Sequence, residues 1–266
     1  MTEFTCGSYN VLNGGLDDGS DKRLLRQLAM LADAGADCWA FQEAKGWRGE
    51  HADYRLFHLA ERVLRMRGFL VRSAHHGCDL ALFIRESAGI RVIRQRHEQG
   101  LPYWHGVARL EVEADGMPGP LYLVSAHLAP SSPIIRLAEA EAFALLAKDG
   151  PVIADGDWNA VPATDPDPPT AGATPGHTRR KLDRAAARAI EEAGFTDVAA
   201  HLGDLAATVG YLGPDKLAYR CDRIYTTLPA GTITGYQVIT EDQPASDHRP
   251  VIATFRLPSQ DLPEAL

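Results

Sequence analysis

The sequence predicts an α/β fold built from short strands and amphipathic helices. Two patterns carry that reading: apolar runs of strand length recur along the whole chain, and stretches with apolar residues at helical spacing separate them. A third pattern concerns function, because polar side chains able to bind a metal or move a proton stand at the ends of several of those runs. With 266 residues, 45% of them hydrophobic, the chain can bury a sizeable core, as one large domain or as two small ones.

Residues 4–12 read as a strand, and Lys22–Ala34 repeats apolar residues at helical spacing before a Gly35 stop. Residues 37–41 form a buried strand. A second helical pattern covers 51–67 and ends at Gly68, and β-like runs follow at 69–73, 79–84 and 90–94. Residues 104–112 and 121–125 form a hairpin around Gly116-Met117-Pro118-Gly119-Pro120. Residues 134–148 make a strongly amphipathic helix, and a strand opening at 151–154 ends at Asp155-Gly156-Asp157. The Pro-, Thr- and Gly-rich stretch 162–176 has no period and reads as a long loop. It lies inside one domain, since a helix at 178–193 and β-like runs at 220–226, 233–239 and 249–257 continue the same rhythm. A single domain over 1–258 is therefore expected, with 259–266 as a flexible tail.

Composition narrows the class of function. A formal net charge of −8 argues against tight, sequence-blind binding to duplex nucleic acid, which rests on many Lys and Arg contacts to phosphates. It leaves room for a nuclease, because a metal-using enzyme needs carboxylates locally and only a few basic side chains for its polymer. Arg179-Arg180-Lys181 and the Arg91, Arg94, Arg96 series are the basic clusters, each also readable as a solvated face. The 4 cysteines, Cys6, Cys38, Cys78 and Cys221, show no paired spacing, which predicts reduced, mostly buried thiols. No run is apolar for long enough to span a bilayer, and Met1-Thr2-Glu3-Phe4 lacks the features of a secretion signal; a cytoplasmic monomer is the expectation.

The run Pro244-Ala245-Ser246-Asp247-His248-Arg249-Pro250-Val251 sets a carboxylate beside an imidazole ahead of a strand. That pair can bind a divalent metal or handle a proton near neutral pH, although an ordinary turn has the same composition. Upstream counterparts are Asn10, Gln42-Glu43, His127, Asp157, Asn159 and Asp222. Strand ends in α/β layers bring distant positions to one crevice, so a shared site is expected. Asp157 and Asn159 flank Trp158 and point to one side of an extended segment, whereas Asp155 fits an Asx turn. His75 and His76, being adjacent, point to opposite faces of a strand and do not make a metal pair.

The segments Ser8-Tyr9-Asn10-Val11-Leu12, Phe41-Gln42-Glu43, Ser125-Ala126-His127-Leu128, Gly156-Asp157-Trp158-Asn159, Asp222-Arg223-Ile224 and Ser246-Asp247-His248-Arg249-Pro250-Val251 cover nearly the whole chain. In content and order they resemble the motifs of the endonuclease/exonuclease/phosphatase superfamily of DNase I-like, metal-dependent phosphoesterases. The resemblance implies an α/β (α+β) four-layer sandwich, two packed β-sheets flanked by helices. It implies a hydrolase, foremost a nuclease cleaving phosphodiester bonds by activated-water attack. A phosphatase or phosphodiesterase for a small molecule or phospholipid headgroup is the alternative.

The implied cofactor is Mg²⁺, or Mn²⁺ in its place, with Glu43 as principal ligand, Asn10 as a neutral donor, and Asp247 as a further ligand or a structural cap. His248 would act with Asp222, and Asp157 and Asn159 would hold the attacking water and a phosphate oxygen; Asp157 and His248 both remain candidates for general base. His127 would face the phosphate, as in DNase- and phosphatase-like members, where abasic-site endonucleases tend to use Tyr. Gln42-Glu43-Ala44-Lys45 instead resembles the repair enzymes' Gln-Glu-x-Lys. Weakly bound nucleic acid is the expected partner, with a small phosphorylated molecule as the alternative. Its contacts are expected from Lys45, Trp47, Arg48 and Arg179, although Trp47 suits interior packing equally well, and the Tyr103-Trp104-His105 segment is a candidate rim.

Overall fold

Alternation along the first strand sets the layering. In β1 (Thr2–Asn10), Phe4 and Cys6 face the space between two sheets, while Tyr9 packs with the helices outside. The computed structural model describes residues 2–169, 171–213 and 216–257, so the expected tail at 259–266 lies outside the described residues.

The first sheet contains β1, β2 (Cys38–Gln42), β3 (Arg67–Val71), β4 (Leu80–Ile84), β11 (Ile233–Val238) and β12 (Val251–Leu257), in the order β11-β12-β1-β2-β4-β3. The second contains β5 (Ile90–Gln95), β6 (Val107–Ala114), β7 (Leu121–His127), β8 (Val152–Asp157), β9 (Thr196–Asp197) and β10 (Asp222–Thr226), in the order β5-β6-β7-β8-β10-β9. Each sheet has one parallel pair, β1 with β2 and β7 with β8, and its other pairs are antiparallel. Both sheets are therefore mixed, and with helices on both outer faces they form the expected four-layer sandwich.

Helices α1 (Lys22–Ala34) and α2 (Arg55–Leu64) cover the first sheet through Leu24, Leu28, Leu31, Phe57 and Ala60, apolar positions at helical spacing. Helices α3 (Pro133–Ala144) and α5 (Ala185–Glu192) cover the second, with Ala140, Phe143 and Ile190 packed on Trp158 and Tyr225. Ser132 caps α3 by accepting from Ile135 N, and Pro133 occupies the first turn, where no amide is required. Short helices α4 (Gly176–Arg179) and α6 (Val198–Leu202) complete the set among the described residues.

Three expectations shift. The helix expected at 51–67 shortens to α2, because Tyr54 and Arg65 sit in the left-handed region at φ 53° and 54°. The helix expected at 178–193 breaks: a 3₁₀ turn spans Arg180–Leu182, Asp183 is extended, and its carboxylate accepts from Ala185 N before α5 begins. Asp155 is no turn residue but lies within β8, buried between the sheets beside the Cys6 thiol.

Between β8 and β10 the chain is anchored by Arg220, which is fully buried. Its guanidinium donates to both oxygens of Asp165, at 2.8 and 2.6 Å, and to both of Asp197, at 2.9 and 2.9 Å. Removing it strands two nearly buried carboxylates. Arg220→Met is expected to lower unfolding free energy by about 3–5 kcal/mol in urea denaturation, and Arg220→Lys to recover little, since an ammonium cannot serve both forks.

Candidate active site

The two parallel pairs end on the same side of the sandwich, and their ends make the site. Asn10 pairs with Gln42 in the first sheet, and His127 pairs with Asp157 in the second. Asp222 lies opposite Asp157 at the start of antiparallel β10, and His248 precedes β12. Those two are thus delivered by the N-terminal ends of strands, whereas Asn10, His127 and Asp157 stand at C-terminal ends. Going along β1 the inward face turns from Phe4 and Cys6 to Ser8 and Asn10. Buried Gln42 then joins the sheets by donating to Ser8 Oγ and Ser125 Oγ, both at 3.2 Å.

Asp157 is the centre of the arrangement. Its Oδ2 accepts from Asn10 Nδ2 at 3.1 Å; its Oδ1 accepts from Asn159 N at 3.0 Å and from the Cys221 thiol at 2.9 Å. His127 Nε2 lies 3.4 Å and His248 Nε2 3.9 Å from the same Oδ2. Glu43 closes the other side, accepting from Asn13 N at 2.9 Å and from Asn10 Nδ2 at 3.3 Å. The Asn10 amide oxygen accepts from Leu12 N at 3.0 Å, which fixes the flip and points the nitrogen at both carboxylates. Glu43 and Asn159 both hold positive φ, 57° and 54°, a strain of about 1–3 kcal/mol each at the ends of β2 and β8.

The two imidazoles carry different charges. Burial would lower His248, but Asp222 and Asp157 outweigh it and raise the group to about 10. Its Nδ1 lies 2.9 and 3.0 Å from the Asp222 oxygens. Burial pushes Asp222 itself up, against the pull of His248. His127 is lowered by burial, which the charge of Asp157 opposes; it stacks on His105 with centroids 4.2 Å apart, and its Nδ1 has no partner among the described residues. We read it as the neutral tautomer donating from Nε2 to Asp157. Burial raises Asp157 too, but His248 first, then His127, Lys181 and the Cys221 hydrogen bond, hold it below the ordinary carboxylate range.

Around this centre lies a crevice of about 470 Å³ lined by Glu43, Lys45, His76, His105, His127, Asp157, Asn159, Lys181 and His248 among others. Asn10, buried beneath it, reaches the same carboxylates. Several expected residues fall elsewhere. Trp47 is fully buried, donating from Nε1 to Gly14 O at 2.9 Å and packing on Phe41 and Phe83, so it presents no face to a ligand. Arg48 sits outside the lining, its charge acting on Asp79. Arg179 is exposed and donates to Thr174 O. Asp247 is exposed and lines a separate depression with Val209 and Lys216, away from Glu43.

Lys181 takes the place expected of Arg179: its ammonium hydrogen-bonds Asn159 Oδ1. The basic run Arg179-Arg180-Lys181 marks the segment, but only the break at Asp183 selects its third member. His105, with Nδ1 3.1 Å from Ser73 Oγ, and Thr208, whose Oγ1 accepts from Cys221 N and Asp222 N, are further supports. Glu43 and Asp157, joined through Asn10 and open to the crevice, present hard oxygen donors, and such a set fits a divalent cation of the Mg²⁺ type.

The sequence matches the Endonuclease/Exonuclease/phosphatase family over residues 7–248. No curated protein sequence matches the chain. Among solved structures, D. rerio TDP2 complexed with single strand DNA product is similar at TM-score 0.70 and 20% identity, covering 96% of this chain and 100% of its own. The endonuclease/exonuclease/phosphatase from Bacteroides vulgatus is similar at TM-score 0.72 and 14% identity, over 97% and 100%. An AP endonuclease from Archaeoglobus fulgidus is similar at 0.68 and 17%, over 95% and 99%. At these identities the likeness is one of fold. No helix among the described residues is long and apolar enough to cross a membrane.

Because the value of about 10 for His248 lies above its ordinary 6.5, its ion pairs stabilise the fold fully below pH 6.5. That contribution is lost as pH rises through 10. NMR titration of the His248 ring in metal-free protein is expected to show no midpoint near neutrality, and Asp222→Asn to bring the midpoint down. A wild-type midpoint at or below neutrality would refute the charge assignment.

Proposed function

The chain belongs to the endonuclease/exonuclease/phosphatase family, and on that premise we propose that it is a divalent-metal-dependent phosphoester hydrolase cleaving phosphodiester bonds of nucleic acid. The observation that carries this reading is a single buried carboxylate, Asp157, approached by Asn10 and His248 from the first sheet and by His127 from the second. Hydrolysis needs a water opposite the leaving oxygen, a group to take its proton, and positive charge near the phosphoryl oxygens. Asp157 is ionised and can accept that proton. His248 is already protonated, so it cannot; it offers Nε2–H to a phosphoryl oxygen instead. Lys181, held by Asn159, adds a second cation on the same wall. Mg²⁺ or Mn²⁺, held by Glu43 and Asp157 with Asn10 beside them, would supply Lewis-acid stabilisation of the developing phosphoryl charge.

Flat rings beside the crevice favour a nucleic-acid strand as substrate. His75, exposed, stacks on Trp104 with centroids 4.0 Å apart, and the neighbouring His76 lines the crevice. Rings of this kind receive unstacked bases while Lys45 and Lys181 meet phosphates, a combination suited to a single strand. The single strand DNA product on the similar D. rerio TDP2 structure accords with that choice. A net charge of −8 favours a second reading, in which the substrate is a small phosphorylated molecule needing few cationic contacts.

With Mg²⁺ or Mn²⁺ the purified protein is expected to cleave labelled single-stranded DNA or RNA. Asp157→Ala should slow cleavage by roughly 10³-fold or more and His248→Ala by about 10²–10⁴-fold. Turnover of mononucleotides or lipid phosphodiesters with none of any oligonucleotide selects the second reading. Undiminished turnover in Asp157→Ala refutes both.

A further inference from the structure

We propose that Asp157, Cys221 and His248 form a site for a borderline or soft divalent cation, Zn²⁺ or Cd²⁺, whose occupation inhibits the enzyme. One ligand atom from each residue lies within 4.8 Å of the other two. A tetrahedral ion about 2.0–2.3 Å from each donor sets its donors about 3.3–3.8 Å apart, so the three atoms need close by no more than about 1–1.5 Å. Cys221 Sγ is 2.9 Å from Asp157 Oδ1, and His248 Nε2 is 3.9 Å from Asp157 Oδ2, so sulfur and nitrogen approach the two oxygens of one carboxylate.

The outer partners for such a site are in place. Asp222 holds His248 Nδ1 and leaves Nε2 turned toward Asp157, the carboxylate–histidine arrangement that orients metal-bound imidazoles. Thr208 Oγ1 accepts from the backbone of both Cys221 and Asp222, which fixes the thiol and the orienting carboxylate together. Asp157 and His248 line the crevice while Cys221 lies behind them, so an ion enters past two of its own ligands. With three protein donors, a tetrahedral ion would keep a fourth position for water.

Selectivity follows from the donors. Glu43 and Asp157 offer only oxygen and suit a hard cation, whereas the Cys221 sulfur prefers Zn²⁺ or Cd²⁺ over Mg²⁺. On binding, the Cys221 S–H and the His248 Nε2–H bonds give way to bonds to the metal, and both protons leave to solvent. Asp157 and His248 are then withdrawn from hydrolysis. The three-residue site does not depend on the hydrolytic reading; its inhibitory effect does.

The test uses the full chain in a Cys78→Ser background, which removes the one cysteine that is not fully buried. Cd²⁺ added to metal-free protein is followed by thiolate-to-metal charge-transfer absorption, and Zn²⁺ affinity by competition with a chromophoric chelator. A saturable band at one ion per chain is expected. Cys221→Ser should abolish it and weaken Zn²⁺ by more than the ~10–100-fold typical of losing an outer partner, and Asp222→Asn should weaken Zn²⁺ by about that 10–100-fold. Cys221→Ala is the second variant, and the one keeping the parent's cooperative thermal unfolding is used.

A band that survives the Cys221 substitution used, a band present in the parent but absent from the Cys78→Ser background, or Zn²⁺ affinity unchanged by that Cys221 substitution overturns the proposal. Inhibition is measured separately, each variant against its own Mg²⁺-supported rate: Zn²⁺ should inhibit the parent more strongly than Cys221→Ser. If the charge-transfer result holds and no hydrolysis is seen, the metal site stands and the hydrolytic reading falls.

Discussion

A carboxylate held ionised in the interior is the constraint around which this protein is organised. Asp157 is 2% exposed, and an unpaired charge there would cost several kcal/mol of desolvation. The charge is tolerated because its surroundings are arranged for it. Asn10 donates from the first sheet, Asn159 N and Cys221 from either side, and the His248 imidazolium faces it across the crevice. Each of these groups comes from a different strand end or loop, so the environment of Asp157 exists only when both sheets are paired in register. Gly156 shows how tight that register is, since a Cβ there would stand 2.3 Å from Ala126 O on the neighbouring strand.

The helical layers contribute more than apolar cover. From α1, Arg23 donates to Val11 O, Leu12 O, Leu16 O and Ala245 O, and Gln27 Nε2 to Val11 O and Ala245 O. From α3, Arg136 donates to Ala129 O and Arg180 O, while the Glu139 carboxylate accepts from Trp104 N and Ala129 N. Each outer layer thus sends a polar pair through to the loops that carry the site, one behind Asn10 and His248, the other behind His127 and Lys181. Buried loop amides and carbonyls need partners, and these side chains supply them. Loop position and helix packing are in consequence one equilibrium: loosening α3 releases the segment that presents Lys181.

Those same residues mark the boundary of what the sequence discloses. The sandwich and its central site residues are legible because strand alternation, helical spacing and short polar motifs at strand ends are local signals, and Asn10, Glu43, His127, Asp157, Asn159, Asp222 and His248 do converge. Arg136 and Glu139 are different. They occupy the buried face of α3, while Ile134 is 81% exposed, so the apolar period misplaces the inward side of that helix. Trp47 and Asp247 fail for a related reason: nearness in sequence to Glu43 and His248 says nothing of direction, which a left-handed φ at Glu43 and the turn at Ser246 decide. Lys181 is visible as charge but not as a site residue, because its placement depends on the helix break at Asp183.

Net charge and local field also separate here, and the separation bears on what such a crevice can bind. Charges farther than a Debye length, about 8 Å at physiological ionic strength, are largely screened from a ligand in solution. The formal −8 belongs to the whole surface, where exposed pairs such as Arg67 with Glu86 and Arg55 with Asp21 add no net charge. Within the crevice the balance is set by few groups: Glu43 and Asp157 against Lys45, Lys181 and the His248 imidazolium. A divalent cation on the carboxylates would turn that balance clearly positive where a phosphate must sit. The acidic composition therefore limits tight binding of a long duplex along the surface, and leaves attraction for one phosphodiester group at the site intact.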